Sequence, residues 1–348
     1  MEITDVRQGI EWQYTYTNKA GAPRTARIVR SELAIMDSGT EFGRRIREWP
    51  SPSLEDALPL RIAGGLHNLY LTGAAPELGA IYRGELTDQE EVDALVLSVV
   101  KQFDQRLLPW LDGPPQTNEA GRAASIMAGL LWLAQRLGPR MELNEIGASA
   151  GVNTMMERYF FDLGGTQTGP VDSPMRIVPE WRGAAPPVAP LEITAIRGSD
   201  IAPLDLADPA QALRLKSYVW PEATERMQRI EAAIALAGEK RPDLVRADAG
   251  EWVPQMLARP QEDGVTRVLY HSIMWQYMPM AAREGIVAAM DEAGRRASRE
   301  RPLAWIQLET NRITFEHELA VRYWPGGEGW VTLANAHPHG AWVKWLGE

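Results

Sequence analysis

Cysteine is absent from all 348 residues. Disulfides, Cys-ligated zinc, iron–sulfur clusters and thiol nucleophiles are thereby excluded. Long hydrophobic runs are missing too. The longest, Ile126-Met-Ala-Gly-Leu-Leu-Trp-Leu-Ala134, falls far short of the roughly 20 residues that cross a bilayer and reads as a buried helix. Positive charge is scarce: 36 Lys+Arg stand against 46 Asp+Glu, a net charge of −10, and such a field repels phosphate backbones. The one basic cluster, Arg295-Arg-Ala-Ser-Arg-Glu-Arg301, sits where a helix is expected to end, a place that favours cations anyway. Neither nucleic acid nor membrane is therefore an expected partner. The opening Met-Glu-Ile-Thr-Asp has neither the basic nor the apolar segment of a secretory signal, so a cytoplasmic location is the expectation. No internal repeat or low-complexity tract stands out.

What is present is an ordinary globular composition, 45% hydrophobic and 24% charged, in a chain long enough for two domains. Residues 1–137 read as helical, because apolar residues recur at three- and four-residue spacing. Helices are expected near 23–36, 54–73, 89–111 and 118–137; the third buries Val92, Leu95, Val96, Val99 and Val100, and Gly113-Pro-Pro stops it. From residue 138 the pattern alternates. Strands are expected near 141–146, 192–197, 244–247, 267–271, 304–308, 318–323 and 330–334, with helices near 221–237, 251–257 and 280–296. Strands alternating with helices indicate α/β architecture, a mostly parallel sheet covered on both faces. Two final strands with no helix between them suggest an antiparallel edge. The Pro/Gly-rich stretch at about 162–190 is too long for an ordinary connection, so an ordered insertion or an exposed loop is expected there.

The chemistry concentrates at Glu142-Leu-Asn-Glu-Ile-Gly-Ala-Ser-Ala-Gly-Val-Asn153. A strand ends at Ile146, and Val152, Met155, Met156, Tyr159 and Phe160 lie at i, i+3, i+4, i+7 and i+8, one face of a helix. Gly147 and Gly151 permit backbone torsions that a Cβ would block, and amides at a helix start face whatever lies above the strand. A dinucleotide fingerprint needs glycine where Ser149 stands. A phosphate-binding P-loop needs Gly-Lys-Ser/Thr where the chain has Val152-Asn153. Two sharp readings remain open, beside a purely structural glycine turn.

The first is a resemblance. Glu145-Ile-Gly-Ala-Ser-Ala-Gly151 resembles the acid-x-Gly-x-x-x-Gly run of class I S-adenosylmethionine-dependent methyltransferases. That resemblance implies S-adenosylmethionine as cofactor, held by Glu145, Gly147, Ala148, Ser149, Gly151 and Asn153, with Asp200 at the ribose-binding and Asp248, next to Ala249, at the adenine-binding position. The interval from Glu145 to Asp200 is longer than the family's usual one. The second reading is a serine hydrolase, since Gly147-Ala-Ser-Ala-Gly151 matches G-x-S-x-G and the order Ser149, Asp248, His337 or His339 suits an α/β-hydrolase. Against it, such a nucleophile follows several strands, whereas the region before Ser149 reads as helical, and no His-Gly-Gly-Gly segment precedes it.

Four motifs in order, Thr117-Asn-Glu-Ala-Gly-Arg-Ala123, Glu145–Asn153, His271-Ser-Ile-Met-Trp-Gln-Tyr-Met-Pro279 and His337-Pro-His-Gly-Ala-Trp342, together resemble an uncharacterised bacterial domain-of-unknown-function family. The resemblance spans roughly 60–345 and is less clear over the first 50 residues. It implies a fold similar to the methyltransferases: a Rossmann-like domain at 138–348 behind a helical N-terminal cap at 1–137. It carries no established activity, which must come from the site.

After the fourth strand, where methyltransferases place substrate-facing residues, come His271, Ser272, Trp275, Gln276 and Tyr277. His271, with Ser272 and Tyr277, is the catalytic candidate, as base for a substrate hydroxyl or amine; the plain alternative is a histidine bonded inside a strand end. Trp275 and Gln276 are substrate-contact candidates. Cytosine C5 methylation needs the missing cysteine, and neither Pro-Pro pair has the flanks of amino-group DNA methylation, so a small molecule or protein group is the expected acceptor. Asn118, Glu119 and Arg122 either start a helix or bind substrate, Arg122 suiting a carboxylate or phosphate. His337 and His339 share a face if extended and are read as substrate contacts. No metal is assigned, although Glu309 lies near them. His67 reads as a core histidine, and His317, between two glutamates, as solvated. The tryptophans gathered in the C-terminal half suit either an aromatic pocket or packing glue.

Overall fold

The computed structural model describes residues 5–50, 54, 56–347 of the chain. It divides into two compact units: Met1–Thr117 with Asp208–Gln228, and Asn118–Ala207 with Arg229–Glu348.

The first unit is helical. Helices cover Val6–Lys19, Pro23–Met36, Glu41–Arg47, Leu58–Leu71 and Gln89–Leu107, and Pro209–Ser217 joins them from far along the chain. Its core gathers Ile10, Ile28, Val29, Ile35, Phe42, Ile62 and Leu66 with Val92, Val96, Val99 and Val100, so the valines of the stripe expected on the 89–107 helix are buried, while Leu95 packs at the edge of that core, half-buried. Asp88 caps that helix by accepting from the amides of Glu90 and Glu91, and the two acids in its first turn suit the positive end of the dipole. Residue 55 of the helix expected from 54 lies outside the described residues, and the described helix begins at Leu58. Two interactions explain why 208–228 belongs here. The Glu222 carboxylate accepts from the amides of Arg24 and Thr25 and from Thr25 Oγ1 at 2.6–3.0 Å, capping the Pro23–Met36 helix. His67 Nδ1 lies 3.1 Å from the Ser217 carbonyl, and burial pushes this histidine down to about 4.

Among the described residues the second unit is built on twelve strands: β1 Arg140–Ile146, β2 Phe160–Leu163, β3 Thr166–Thr168, β4 Arg176–Ile177, β5 Glu180–Arg182, β6 Glu192–Asp200, β7 Leu244–Arg246, β8 Thr266–Ser272, β9 Leu303–Thr310, β10 His317–Trp324, β11 Gly327–Ala336 and β12 Trp342–Trp345. Nine form one sheet in the order β5-β12-β11-β10-β9-β8-β1-β6-β7. From β7 to β9 every pair is parallel, and β9 to β12 pair antiparallel. The sheet is therefore mostly parallel, with an antiparallel flank closed by β5, which pairs parallel to β12.

Both faces are covered. The Ala123–Leu137 helix, apolar nearly all round and buried from Ala123 to Ala134, takes one face, its Gly129 opposite Ile306 and Val321. It belongs with the sheet and not with the helical cap expected at 1–137. Helices Ala249–Leu257 and Met280–Arg296 take the other face around Ile146, Leu269, Trp305 and Trp324, residues of opposite parity to Ile306 and Val321.

The segment after Gly151 departs from the expected helix. Asn153–Arg158 is a short 3₁₀ helix and Phe160 already lies in β2. The periodicity was real in burial, since Met155, Met156, Tyr159 and Phe160 are all buried, yet the Phe160 amide goes to the Met175 carbonyl across the insertion. The insertion is ordered: β2, β3 and β4 form a second, three-stranded sheet.

Candidate functional site

The parallel strands β7, β6, β1, β8 and β9 run 3-2-1-4-5 in chain order, reversing between β1 and β8. In open α/β sheets ligands bind outside the carboxyl ends of the strands at such a reversal. The 147–151 turn stands there.

Its backbone is the one the glycines allow: φ is +67° at Gly147, +52° at Ser149 and +71° at Gly151. A Cβ on Gly147 would lie 2.7–3.0 Å from Met274 side-chain atoms, and one on Gly151 2.8–3.1 Å from Pro242 and Leu244. Neighbouring side chains thus pack into this corner. The amides are also taken. Ala148 donates to the Ser199 carbonyl and Gly151 to that of Ala148, Ser149 to Asp200 Oδ2 at 2.8 Å, and Ala150 and Val152 both to Asn118 Oδ1 at 3.1 Å.

Glu145 faces inward. Thr154 Oγ1 donates to its Oε2 at 2.6 Å and Tyr270 Oη at 3.2 Å, and Tyr270 also reaches the Asn153 carbonyl. Burial, opposed by those two hydrogen bonds, pushes the Glu145 carboxyl up to about 7. Its Oε2 serves the fold around the turn. Asp200, half-buried, splits its carboxylate between the Ser149 and Ala202 amides. Asp248, exposed at the end of β7, caps the 249–257 helix through the Gly250 amide, with Ala249 buried behind it.

Asn118, Glu119 and Arg122 form a polar joint. Beside Asn118 on the turn, Glu119 Oε1 accepts from the Gly121 amide and from Arg229 Nε at 2.7 Å. Arg122 donates to the carbonyls of Pro338 and, at 3.4 Å, Ser272. All three are buried. The joint brings the turn, the end of β8 and the 337–340 segment together, and Gly121 passes so close to that segment that a Cβ would sit 2.6 Å from the His339 carbonyl oxygen.

At the end of β8, His271 is fully buried and its Nδ1 lies 2.7 Å from Glu309 Oε1. The same oxygen accepts from the amides of Met274 and Trp275. Trp275 stacks on the imidazole with ring centroids 4.9 Å apart, and Trp305 meets it edge-on at 6.0 Å. Ser272 is half-buried, while Gln276 and Tyr277 point outward on the following turn. His337 Nδ1 accepts from the His339 amide, and the two rings lie 5.7 Å apart. His317 is not solvated as its neighbours suggested: it is half-buried and bonded to Thr310 Oγ1, and burial, with Arg122 and His337 adding, lowers its pKa. Among the described residues no group of three His, Asp or Glu could hold a metal ion. The tryptophans act largely as packing, Trp305 and Trp324 in the core beneath the 249–257 and 280–296 helices and Trp345 beside Trp181.

The hydrolase reading meets a direct obstacle. Ser149 Oγ is buried and makes no hydrogen bond, so no base is in place to take its proton. Nothing in the sequence marks Glu309 as the partner of His271, or Thr154, Tyr270 and Met274 as neighbours of the turn. Only the strand order could have found Glu309: β9 lies beside β8 with His271 opposite Gln307, which puts residue 309 one step further on the same face.

These observations define a protein of the α/β class: a mostly parallel sheet covered by helices, with titratable side chains gathered at the carboxyl ends of its central strands, and a separate helical unit. The chain belongs to a family of uncharacterized proteins conserved in bacteria, DUF2332, whose model matches residues 7–345. The match includes most of the first 50 residues, where the motif resemblance was least clear. No curated protein and no solved structure matches the chain. Among the described residues no helix is long and apolar enough to cross a membrane.

Proposed function

We propose that this protein is a cytoplasmic methyltransferase that binds S-adenosylmethionine at the carboxyl ends of β7, β6, β1 and β8 and methylates a small molecule or a protein group. The observation that carries the reading is the placement of acids: Glu145 next to the last residue of β1, Asp200 at the end of β6 and Asp248 two residues past β7 lie at the carboxyl ends of three adjacent parallel strands, on one side of the sheet's reversal point. Asp200 is half-buried and Asp248 exposed, and both suit hydroxyl and amine donors of a nucleoside. Gly147 and Gly151 suit close passage of a ligand along the backbone. The fit is poorest at the turn itself. Glu145 is spent on Thr154 and Tyr270, and Met274 must leave Gly147 before a ligand can approach. The bound sulfonium would supply an electrophilic methyl group. The residues' share is to hold it in line with the acceptor, where proximity contributes most of the acceleration, and to receive the acceptor's proton at His271. A net charge of −10 disfavours a nucleic-acid acceptor.

Isothermal titration calorimetry with S-adenosylmethionine and with its demethylated product tests the reading. Saturable heats in wild type are expected, weakened in Asp248→Ala and preserved or strengthened in Met274→Ala, which uncovers Gly147. Absence of heat from folded wild type and folded Met274→Ala alike refutes it.

A further inference from the structure

A buried polar atom without a partner costs stability unless something else occupies it. His271 Nε2 is such an atom: the residue is fully buried, the opposite nitrogen is held by Glu309, and Nε2 meets no hydrogen-bonding group. The geometry fixes which nitrogen carries the proton. Glu309 Oε1 already accepts two backbone N–H groups, from Met274 at 3.1 Å and Trp275 at 3.3 Å, so it has no proton to give and Nδ1 must donate to it. A second proton, on Nε2, would bury a charged donor with no acceptor to receive it. The arrangement leaves a bare Nε2 lone pair.

We propose that Glu309 is a positioning residue that fixes His271 as a base, its Nε2 directed at a hydroxyl or amine of the substrate, and that the same carboxylate holds the 273–278 segment closed over the ring. The inference rests on the methyl-transfer reading only for the identity of the electrophile. In that setting Nε2 takes the acceptor's O–H or N–H proton as the heteroatom bonds to the methyl carbon and the pair of the broken carbon–sulfur bond goes to sulfur. The ring ends as an imidazolium against the Glu309 carboxylate, and charge balances on both sides. Closure follows from the same oxygen: Trp275 lies over the imidazole and Met274 over Gly147, and both amides end on Glu309. Substrate therefore reaches Nε2 only when this segment lifts. Other ionisable groups near the pair are Arg122, which reaches the Ser272 carbonyl, and His317, which senses Glu309, Arg122 and His337.

The test reads the proton and the segment directly on the full chain. Nitrogen-15 NMR of selectively labelled histidines, assigned with His271→Gln, is expected to show His271 with its proton on Nδ1 and a bare Nε2 at neutral pH. In Glu309→Ala the ring should become a mixture of both tautomers, and hydrogen exchange at the Met274 and Trp275 amides should quicken by tenfold or more. Glu309→Gln, whose amide oxygen can still accept, should keep the tautomer, and it serves if the alanine variant does not fold. A wild-type ring doubly protonated at neutral pH, a wild-type proton on Nε2, or a tautomer and exchange pattern unmoved in the alanine variant overturns the proposal. Where wild type binds S-adenosylmethionine, methyl transfer into cell extract should fall on the order of a hundredfold in Glu309→Ala, while the cofactor's affinity holds or rises as Met274 is released from Gly147. If wild type does not bind it, the methyl-transfer reading fails by itself and the NMR result still decides the role of Glu309.

Discussion

Replacing Glu145 by glutamine should make the β1 region more stable at alkaline pH than at acid pH, relative to wild type. The carboxyl's ordinary value is 4.5 and burial pushes it up to about 7 in the fold. At about 1.4 kcal/mol per pH unit, that gap corresponds to about 3 kcal/mol. The sign follows from linkage. Below pH 4.5 both folded and unfolded chains hold the proton, and the group costs nothing extra. Between 4.5 and about 7 the unfolded chain ionises while the folded one does not, so stability declines as pH rises. Above 7 both are ionised and the full penalty of a buried charge remains. Glutamine keeps an acceptor oxygen for Thr154 and Tyr270 but has nothing to ionise. Its stability relative to wild type should therefore rise by about 3 kcal/mol from pH 4 to pH 8.5, on top of any constant offset from the lost hydroxyl. Because the chain has two units, a single unfolding transition is not assured. Native-state hydrogen exchange of the β1 amides reads the second unit by itself. A difference between variant and wild type that stays flat across that range would refute the argument that desolvation dominates at this site.

Other outcomes follow from single contacts. Asn118→Ala strips the Ala150 and Val152 amides of their acceptor and should cost about 1–3 kcal/mol, whereas Asn118→Asp should cost less; thermal melts compare them. Gly340→Ala forces φ +72° on a residue with a side chain and drives its Cβ onto the Gly121 backbone, so a loss above the roughly 1–3 kcal/mol of backbone strain alone should appear as a lowered Tm. In the first unit Glu32 is fully buried with neither carboxyl oxygen bonded, and burial raises its pKa well above 4.5. Glu32→Gln should thus match wild type below pH 4.5 and exceed it increasingly as pH rises, in urea unfolding at paired pH values. A fluorophosphonate probe should leave Ser149 unlabelled, since its Oγ has no base; labelling lost in Ser149→Ala would restore the hydrolase reading.

Local chemistry was legible in the sequence wherever one residue type has one physical solution. The run at 126–134 could only be a buried helix, and the valines of 89–107 could only face a core. Gly147 and Gly151 announced positive φ, and the acids near the close of three expected strands, Glu145 within the first and Asp200 and Asp248 beyond the other two, marked their carboxyl ends. The Val6–Lys19 helix escaped notice because its buried face includes Gln13 and Thr17, which satisfy each other at 3.0 Å and break the apolar pattern. The helix expected after Gly151 failed for the converse reason: a segment buried on every side mimics amphipathic spacing, and strand pairing across the insertion took its backbone instead.

The site depended on strand order, which no local pattern encodes. Glu309 lies 38 residues after His271, and the two meet only because β9 is laid beside β8. Asn118 reads as a helix start in the sequence; in the fold its one carbonyl oxygen occupies two amides of a turn more than thirty residues away. Sequence determined the kinds of groups available, since composition and spacing act through bonds and near neighbours. The tertiary structure decided which of those groups were spent on one another, because a buried hydrogen bond is made by whichever partner the packing of distant strands brings within 3 Å.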